Sequence, residues 1–133
     1  TPFTPSIQET QPARATFTPT AGFNTPYLLV GQEPICEPGA PLLLQFMFMD
    51  SRRNQIPGVE IIVTWNQGED RFFTGFKSEL GLGYADFLMQ ANTIYNVRVV
   101  TGGAYVADIT PPECTDPNGS AYSGGVALTF QQP

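Results

Sequence analysis

The sequence of 133 residues contains no histidine, one lysine and two cysteines. Without histidine, neither a Ser–His nor a Cys–His nucleophilic pair can form. Neighbouring acids such as Glu69 and Asp70 are better explained as solvated turn residues than as the two acids that a glycosidase holds across a cleft. We therefore expect a protein that is not an enzyme and that needs no cofactor.

Basic residues and long apolar runs are also scarce. Six Lys and Arg residues stand against twelve Asp and Glu residues, which gives a net charge of −6. A chain without a basic patch is unsuited to phosphate backbones, so nucleic acid is not an expected partner. No apolar run is long enough for a membrane span, and the sequence shows neither an initiating Met nor a secretory leader. We expect no membrane span and interpret the sequence as a mature or excised piece of a longer protein.

The two cysteines, Cys36 and Cys114, are 78 positions apart in a Thr/Pro-rich, Lys-poor chain. An even count in such a chain favours a disulfide and an oxidising compartment, so we expect an extracellular or cell-surface location. Closing a loop of this length is expected to stabilise the fold by about 4 kcal/mol in the chain-entropy model. The alternative is a pair of buried free thiols.

Short apolar or alternating segments, separated by Gly/Pro-rich turns, follow one another from residue 26 onward. Seven of them predict strands, at 27–30, 42–50, 59–66, 71–76, 84–89, 94–100 and 126–131. Segment 108–125, which is rich in Pro, Gly, Ser and Asp, is expected to form a loop. The absence of a helical period together with this spacing predicts an antiparallel β-sandwich over residues 26–133.

The segment 42–50 is apolar on both faces. Leu42, Leu44, Phe46 and Phe48 alternate with Leu43, Gln45, Met47 and Met49. A strand of a two-sheet sandwich buries only one face in the core, so the second face is expected to need a partner. In the strand 71–76, Phe72 and Phe73 point to opposite faces, so one of them is expected outside the core.

Between Ile56 and Val100 the sequence contains, in order, PGVEI at 57–61, FTG at 73–75, GYADF at 83–87 and YNVRV at 95–99. This order of motifs resembles that of carboxypeptidase-regulatory-like and Cna-B-like domains. The resemblance covers about a third of the chain and implies an immunoglobulin-like (prealbumin-like) sandwich in an extracellular setting. With its Thr/Pro-rich leader, the chain is similar to surface domains of filamentous bacteria such as Chloroflexi. Domains of this family serve as stalks, spacers, adhesin modules and filament subunits.

Residues 1–25 contain seven Thr and four Pro and predict an extended arm or stalk. As a stalk, the arm offers hydroxyl groups for O-glycans at Thr1, Thr4, Ser6, Thr18 and Thr20. As an interaction arm, it offers an alternating stretch that suits strand addition to a sheet edge. That stretch is centred on Ala13, Ala15 and Phe17, with further apolar anchors at Phe3, Ile7 and Phe23.

The loop ECTDPNGS (113–120) contains oxygen ligands of the kind that calcium prefers, at Glu113, Asp116, Asn118 and Ser120. The spacing lacks the bidentate acid that closes a calcium loop, and Asp-Pro-Asn-Gly is by itself a good turn sequence. We therefore favour a turn over a metal site.

These observations predict the subunit of an extracellular filament that assembles as a homo-oligomer, head to tail. The arm is expected to dock on a neighbouring subunit, and the contact is expected to include Leu43, Met47, Met49 and Phe72 or Phe73. The alternative is a monomeric adhesin or carbohydrate-binding module on a glycosylated stalk. A weaker possibility is an accessory domain of an enzyme.

Overall fold

The structure, a computed structural model, describes residues 26–133. These residues form ten β-strands and two single-turn 3₁₀ helices, Ser78–Leu80 and Thr101–Gly103. The strands are β1 Leu28–Ile35, β2 Leu43–Met49, β3 Glu60–Trp65, β4 Gly68–Phe73, β5 Tyr84–Leu88, β6 Tyr95–Val99, β7 Tyr105–Ile109, β8 Glu113–Thr115, β9 Ala121–Ser123 and β10 Gly125–Gln131.

Two four-stranded sheets pack face to face. Sheet A has the order β1-β10-β2-β5, sheet B has the order β4-β3-β6-β7, and β8 and β9 form a separate hairpin. The predicted all-β, immunoglobulin-like sandwich is confirmed. One pairing differs from a purely antiparallel arrangement, because β10 lies parallel to β2 from Val126 beside Leu44 to Gln131 beside Met49.

Three described strands were not expected from the sequence. β7 is hidden because Asp108 has a positive φ of 61° and the register with β6 shifts near it, which destroys the alternation of apolar residues. β8 and β9 have only three residues each and lie in the segment that was expected to be a loop. Such short strands give no periodic signal.

Two predicted strands are longer than expected. β1 continues through Gly31 to Ile35, because a register shift between Leu29 and Gly31 lets the chain keep pairing with β10. β4 begins at Gly68, since the chain reverses between Trp65 and Gly68 and leaves only two residues in the turn. Neither a glycine nor a run of acids therefore ends a strand here.

The core lies between the inner faces of the two sheets. Phe48 of β2 stacks on Phe130 of β10, with ring centroids 4.7 Å apart and planes nearly parallel. A second aromatic group joins the sheets, because Phe87 of β5 contacts Trp65 and Tyr95 of sheet B at 5.4 and 5.5 Å. Side chains of β3, β6 and β10, together with Val59 just before β3, are buried in this core: Val59, Ile61, Val63, Tyr95, Val97, Val99, Val126, Leu128 and Phe130.

The predicted disulfide between Cys36 and Cys114 is confirmed, with Cα atoms 5.6 Å apart. It fastens the β8–β9 hairpin to the end of β1. The packing there leaves no room for a side chain at Gly124, because a Cβ would lie 2.6 Å from both the Cys114 sulfur and the Ile35 carbonyl oxygen. The hairpin is therefore held by one covalent bond and by close backbone contact.

The strand directions define two opposite poles. β2, β4, β6 and β10 all end at the pole where β1 begins. This pole, which we call the arm pole, carries residue 26, loops 50–59 and 74–83, and the C-terminal residues. The other, the disulfide pole, gathers segments 33–42, 66–70, 89–94 and 108–124, including the disulfide.

Candidate interaction surface

Tyr27 fixes the point at which the arm joins the sandwich. Its ring is 5% exposed and meets the ring of Phe48 edge-on at 5.0 Å. Burial, together with the charge of Asp50, raises the pKa of its hydroxyl above the usual value. The chain is thus anchored from Tyr27 onward, at the arm pole.

The predicted arm residues lie outside the described part of the chain, so their roles stay predictions. This holds for the contact residues Phe3, Ile7, Ala13, Ala15, Phe17 and Phe23 and for the glycan acceptors Thr1, Thr4, Ser6, Thr18 and Thr20.

β1 is the edge strand of sheet A and directly follows the arm. Its first residues are apolar and exposed, with Leu28 at 52% and Val30 at 55%. Such an edge presents a row of backbone groups that can pair with another strand. One side of β1 pairs with β10, and no strand within residues 26–133 pairs with its other side.

The side chains of β1 that point toward the sandwich interior also lack cover. Leu29, Gln32 and Pro34 lie opposite the buried Phe130, Leu128 and Val126 of β10, yet all three are exposed. Sheet B therefore stops short of β1. An added strand beside β1 would meet a backbone edge that no described strand occupies and an exposed apolar side chain at Leu29.

The other sheet edges are better protected. β4 carries three consecutive charged residues, Glu69, Asp70 and Arg71, which discourage pairing. β7 is bent at Asp108, whose backbone N–H bonds to the side chain of Asn96 at 3.1 Å. β5 has only five residues, and Lys77 forms an ion pair with its Asp86 at 2.8 Å.

The outer face of β2 is not covered by another described element. Leu43, Met47 and Met49 are half-buried there, mainly among the flanking strands of sheet A. Their predicted role in a subunit contact stays a prediction.

Phe72 does not lie on this surface. It packs inward against Phe46 at 5.7 Å and Phe87 at 6.1 Å, because its position in β4 faces sheet A. The expectation that Phe72 serves the contact is therefore corrected, and Phe73 is the exposed member of the pair.

Loop 74–83 places an apolar tip on the arm pole, formed by Phe76, Leu80 and Leu82. Phe76 is 83% exposed, and the two leucines are also more than half exposed. Sequence reasoning missed this tip because it placed Phe76 at the end of a strand. The signal available was three large apolar residues within a segment bounded by glycines, with no alternation to bury them.

Hydrogen bonds hold the base of this loop. The buried Thr74 hydroxyl donates to the Ile56 carbonyl at 2.8 Å and accepts from the Val59 N–H at 3.0 Å, which joins loops 50–59 and 74–83. Nearby, Asp86 accepts from the Lys77 ammonium at 2.8 Å and from the Tyr84 hydroxyl at 2.8 Å. Burial first, and then Asp86, raise the pKa of Tyr84, so this tyrosine stays protonated and acts as a structural hydrogen-bond donor.

Asp50 organises loop 50–54. Its carboxylate accepts from the backbone N–H groups of Asn54 and Arg52, both at 2.8 Å, and from the Asn54 amide at 3.1 Å. These bonds, the Asn54 backbone bond foremost, lower the pKa of Asp50 below its usual value. A lowered pKa favours the folded state above the pKa of the unfolded chain, and this contribution is lost as pH falls through the folded-state pKa.

We therefore expect Asp50→Asn to remove part of the acid sensitivity of the protein. The melting temperatures of wild type and variant should differ at neutral pH and converge as Asp50 is protonated below about pH 4. Thermal unfolding followed by circular dichroism from pH 2 to pH 7 measures this. An equal difference at all pH values would contradict the assignment.

The disulfide pole contains an open cleft of about 690 Å³ between the β5–β6 turn and the β8–β9 hairpin. Its walls include Asn92, Ile94, Thr110, Glu113, Tyr122 and Ser123. Ile94 is an exposed apolar residue, and Glu113 is an exposed acid. Volumes of this order are typical of pockets that receive a side chain or a small ligand.

The residues of the weak calcium candidate are used in the hairpin itself. Asp116 accepts from the backbone N–H groups of Asn118 and Ser120, both at 2.9 Å, which is a turn-forming arrangement. Glu113 lies at the start of β8, paired with Ser123. Within residues 26–133, no three His, Cys, Asp or Glu residues are placed to hold a metal ion.

None of the segments that the structure describes is a helix long and apolar enough to cross a membrane. The chain matches no protein-family model, no curated protein and no solved structure. The resemblance to carboxypeptidase-regulatory-like and Cna-B-like domains therefore stays a hypothesis.

Proposed function

We propose that this protein is the structural subunit of an extracellular or cell-surface filament, in which the N-terminal arm of one copy adds a strand to β1 of the next. The observation that supports this most is β1 itself, an eight-residue strand with exposed side chains on both faces, whose outer backbone edge pairs with no strand of the described part of the chain. The disulfide is consistent with an oxidising, extracellular setting.

The dimensions suit an arm that acts on a neighbour. Twenty-five extended residues span roughly 80 Å at about 3.3 Å each, whereas the eight residues of β1 span about 26 Å. Residues 18–25 can cross a junction between two subunits and still leave 13–17 free to pair. An arm that leaves one pole and binds the side of the next copy makes a contact that does not close on itself, so it propagates into a fibre.

The sequence of the arm suits the same edge. Ala13, Ala15 and Phe17 would share one face of an added strand and would lie along the exposed side chains of β1. Pro12 and Pro19 bracket this stretch, and proline is tolerated at the ends of a strand but not within a hydrogen-bonded ladder. Main-chain hydrogen bonds would supply the affinity, and alternate side chains the specificity.

Deletion of residues 1–22 tests the proposal. We expect a folded monomer at concentrations at which the full chain forms polymers, measured by light scattering and negative-stain microscopy. In the full chain, Ala15→Pro should block assembly because it removes a backbone donor from the ladder, whereas Ala21→Pro, outside the pairing stretch, should not.

A peptide of residues 10–20 should bind the arm-deleted protein, and Leu29→Lys in that protein should weaken the binding. Undiminished assembly after deletion of the arm would overturn the proposal. A full chain that stays monomeric at every concentration would also overturn it and would favour the adhesin or carbohydrate-binding alternative.

A further inference from the structure

The two poles carry opposite charge patterns. The four segments that meet at the disulfide pole, 33–42, 66–70, 89–94 and 108–124, contain seven acids and no base. The acids are Glu33, Glu37, Glu69, Asp70, Asp108, Glu113 and Asp116. Such a concentration of like charge creates a negative potential that attracts a cationic surface.

The arm pole carries such a cationic surface. Loops 50–59 and 74–83 hold three bases, Arg52, Arg53 and Lys77, against the two acids Asp50 and Glu79. Arg52 and Arg53 are exposed, and the ion pairs found within residues 26–133 involve neither of them. Their guanidinium groups are therefore available to an external partner.

The poles also differ in shape. The arm pole projects the apolar tip, with Phe76 as its most exposed side chain. The disulfide pole holds the cleft, whose exposed apolar residue is Ile94 and whose acid is Glu113. One pole therefore combines an exposed apolar tip with exposed arginines, of which Arg53 lines a shallow pocket together with Leu82 of the tip, and the other combines an open cleft with exposed acids.

We infer that the arm pole of one copy seats on the disulfide pole of the next, with the apolar tip in the cleft and with Arg52 and Arg53 facing the acids around it. This rests on the proposed filament, and it names a second subunit contact. The occupant is a second copy of this chain, because the complementary patches lie at opposite ends of one molecule. Such an arrangement is self-complementary only when copies stack head to tail.

The arm enters the same junction. It is rooted at the arm pole through its C-terminal end. That end would therefore lie beside the Ile35 end of β1 of the next copy, and the N-terminal part of the arm would lie beside Leu28. The added strand would then lie parallel to β1. The seated poles would position the arm, and the arm would hold the poles together.

Charge reversal at the two poles tests the inference in the full chain. We expect Arg52→Glu with Arg53→Glu to raise the critical concentration for assembly about tenfold or more, because like charges then face each other across the junction. Glu37→Arg with Glu113→Arg should also raise it, by a smaller factor, because five acids remain at the disulfide pole. A chain carrying all four changes has the original net charge of −6 and should assemble at a lower concentration than the Arg52→Glu, Arg53→Glu variant, because the two new glutamates then face the two new arginines across the junction.

A matched control separates the pole contact from net charge. Arg71→Glu with Arg98→Glu gives the same net charge as Arg52→Glu with Arg53→Glu, but places the changes on β4 and β6 of sheet B, where both residues lie opposite Ile62. This chain should assemble like the wild type. A loss of assembly in this control equal to that of the pole variant, or no gain in the four-change chain over the Arg52→Glu, Arg53→Glu variant, would overturn the inference.

The outcomes distinguish the two proposals. If the peptide of residues 10–20 binds the arm-deleted protein but charge reversal leaves assembly unchanged, the filament proposal stands and the pole contact fails. If deletion of the arm leaves assembly intact, the filament proposal in its strand-addition form fails, and the charge-reversal series still reports whether the poles stack.

Discussion

Replacing Cys36 and Cys114 together by alanine is expected to lower the free energy of unfolding by about 4 kcal/mol, because the bond closes a loop over a sequence separation of 78 residues. Domains of this size have roughly 5–15 kcal/mol in total, so the loss is a large share of the stability. Urea unfolding followed by tryptophan fluorescence measures it, since Trp65 packs against the core.

Two controls belong to this experiment. Reduction of the wild-type protein should give a similar loss, whereas reductant should leave the double variant unchanged. The β8–β9 hairpin should loosen most, because its described strand pairing is internal and its covalent link is the disulfide. Faster amide exchange over residues 112–124 than over β2 would show this. A difference below 1 kcal/mol would contradict the prediction.

Phe48→Ala is expected to destabilise the fold by about 3–5 kcal/mol, the usual cost of removing a buried phenylalanine. Phe48 is fully buried. Its ring stacks on the ring of Phe130 and meets the ring of Tyr27 edge-on. The variant should therefore weaken the junction of β2 with β10 and also loosen the root of the arm. Urea unfolding gives the first effect, and amide exchange at Tyr27 and Leu28 gives the second.

Phe76→Ala is the matched control, with the same substitution at a phenylalanine that is 83% exposed at the same pole. Its stability should stay within about 0.5 kcal/mol of the wild type. Equal losses for the two variants would contradict the placement of Phe48 in the core. The control also bears on assembly, since removal of the tip residue should raise the critical concentration without changing stability.

The sequence was informative where a strand buries one face against the other sheet. Buried residues alternate regularly along β6 and β10, whereas β3 buries Ile62 in addition to Ile61 and Val63. The periodicity of apolar residues indicates which side chains are buried. It therefore did not predict strands in which buried and exposed residues do not alternate. β7 changes register at Asp108, β8 and β9 are too short, and β1 is exposed on both faces.

The candidate surfaces were harder to predict for a related reason. A sequence shows that Phe76, Leu80 and Leu82 are apolar, but only the chain's path shows that loop 74–83 projects them from a pole. Similarly, the seven acids of the disulfide pole are scattered over four segments of the sequence. The topology brings them together, and a linear view of the chain therefore hides the charge asymmetry.

The place of β10 in sheet A has a consequence for biosynthesis. The last strand of the chain inserts between β1 and β2, two of the first strands, and pairs with β2 in parallel. Until Gly125–Gln131 has left the ribosome, β1 has no neighbour and half of the core aromatic stack is missing. Long-range pairing of this kind makes folding slow, because the chain loses conformational entropy in bringing distant segments together before their stabilising contacts form. Sheet A therefore closes only once Gly125–Gln131 is available, and a product that lacks this segment would leave β1 without its partner strand β10.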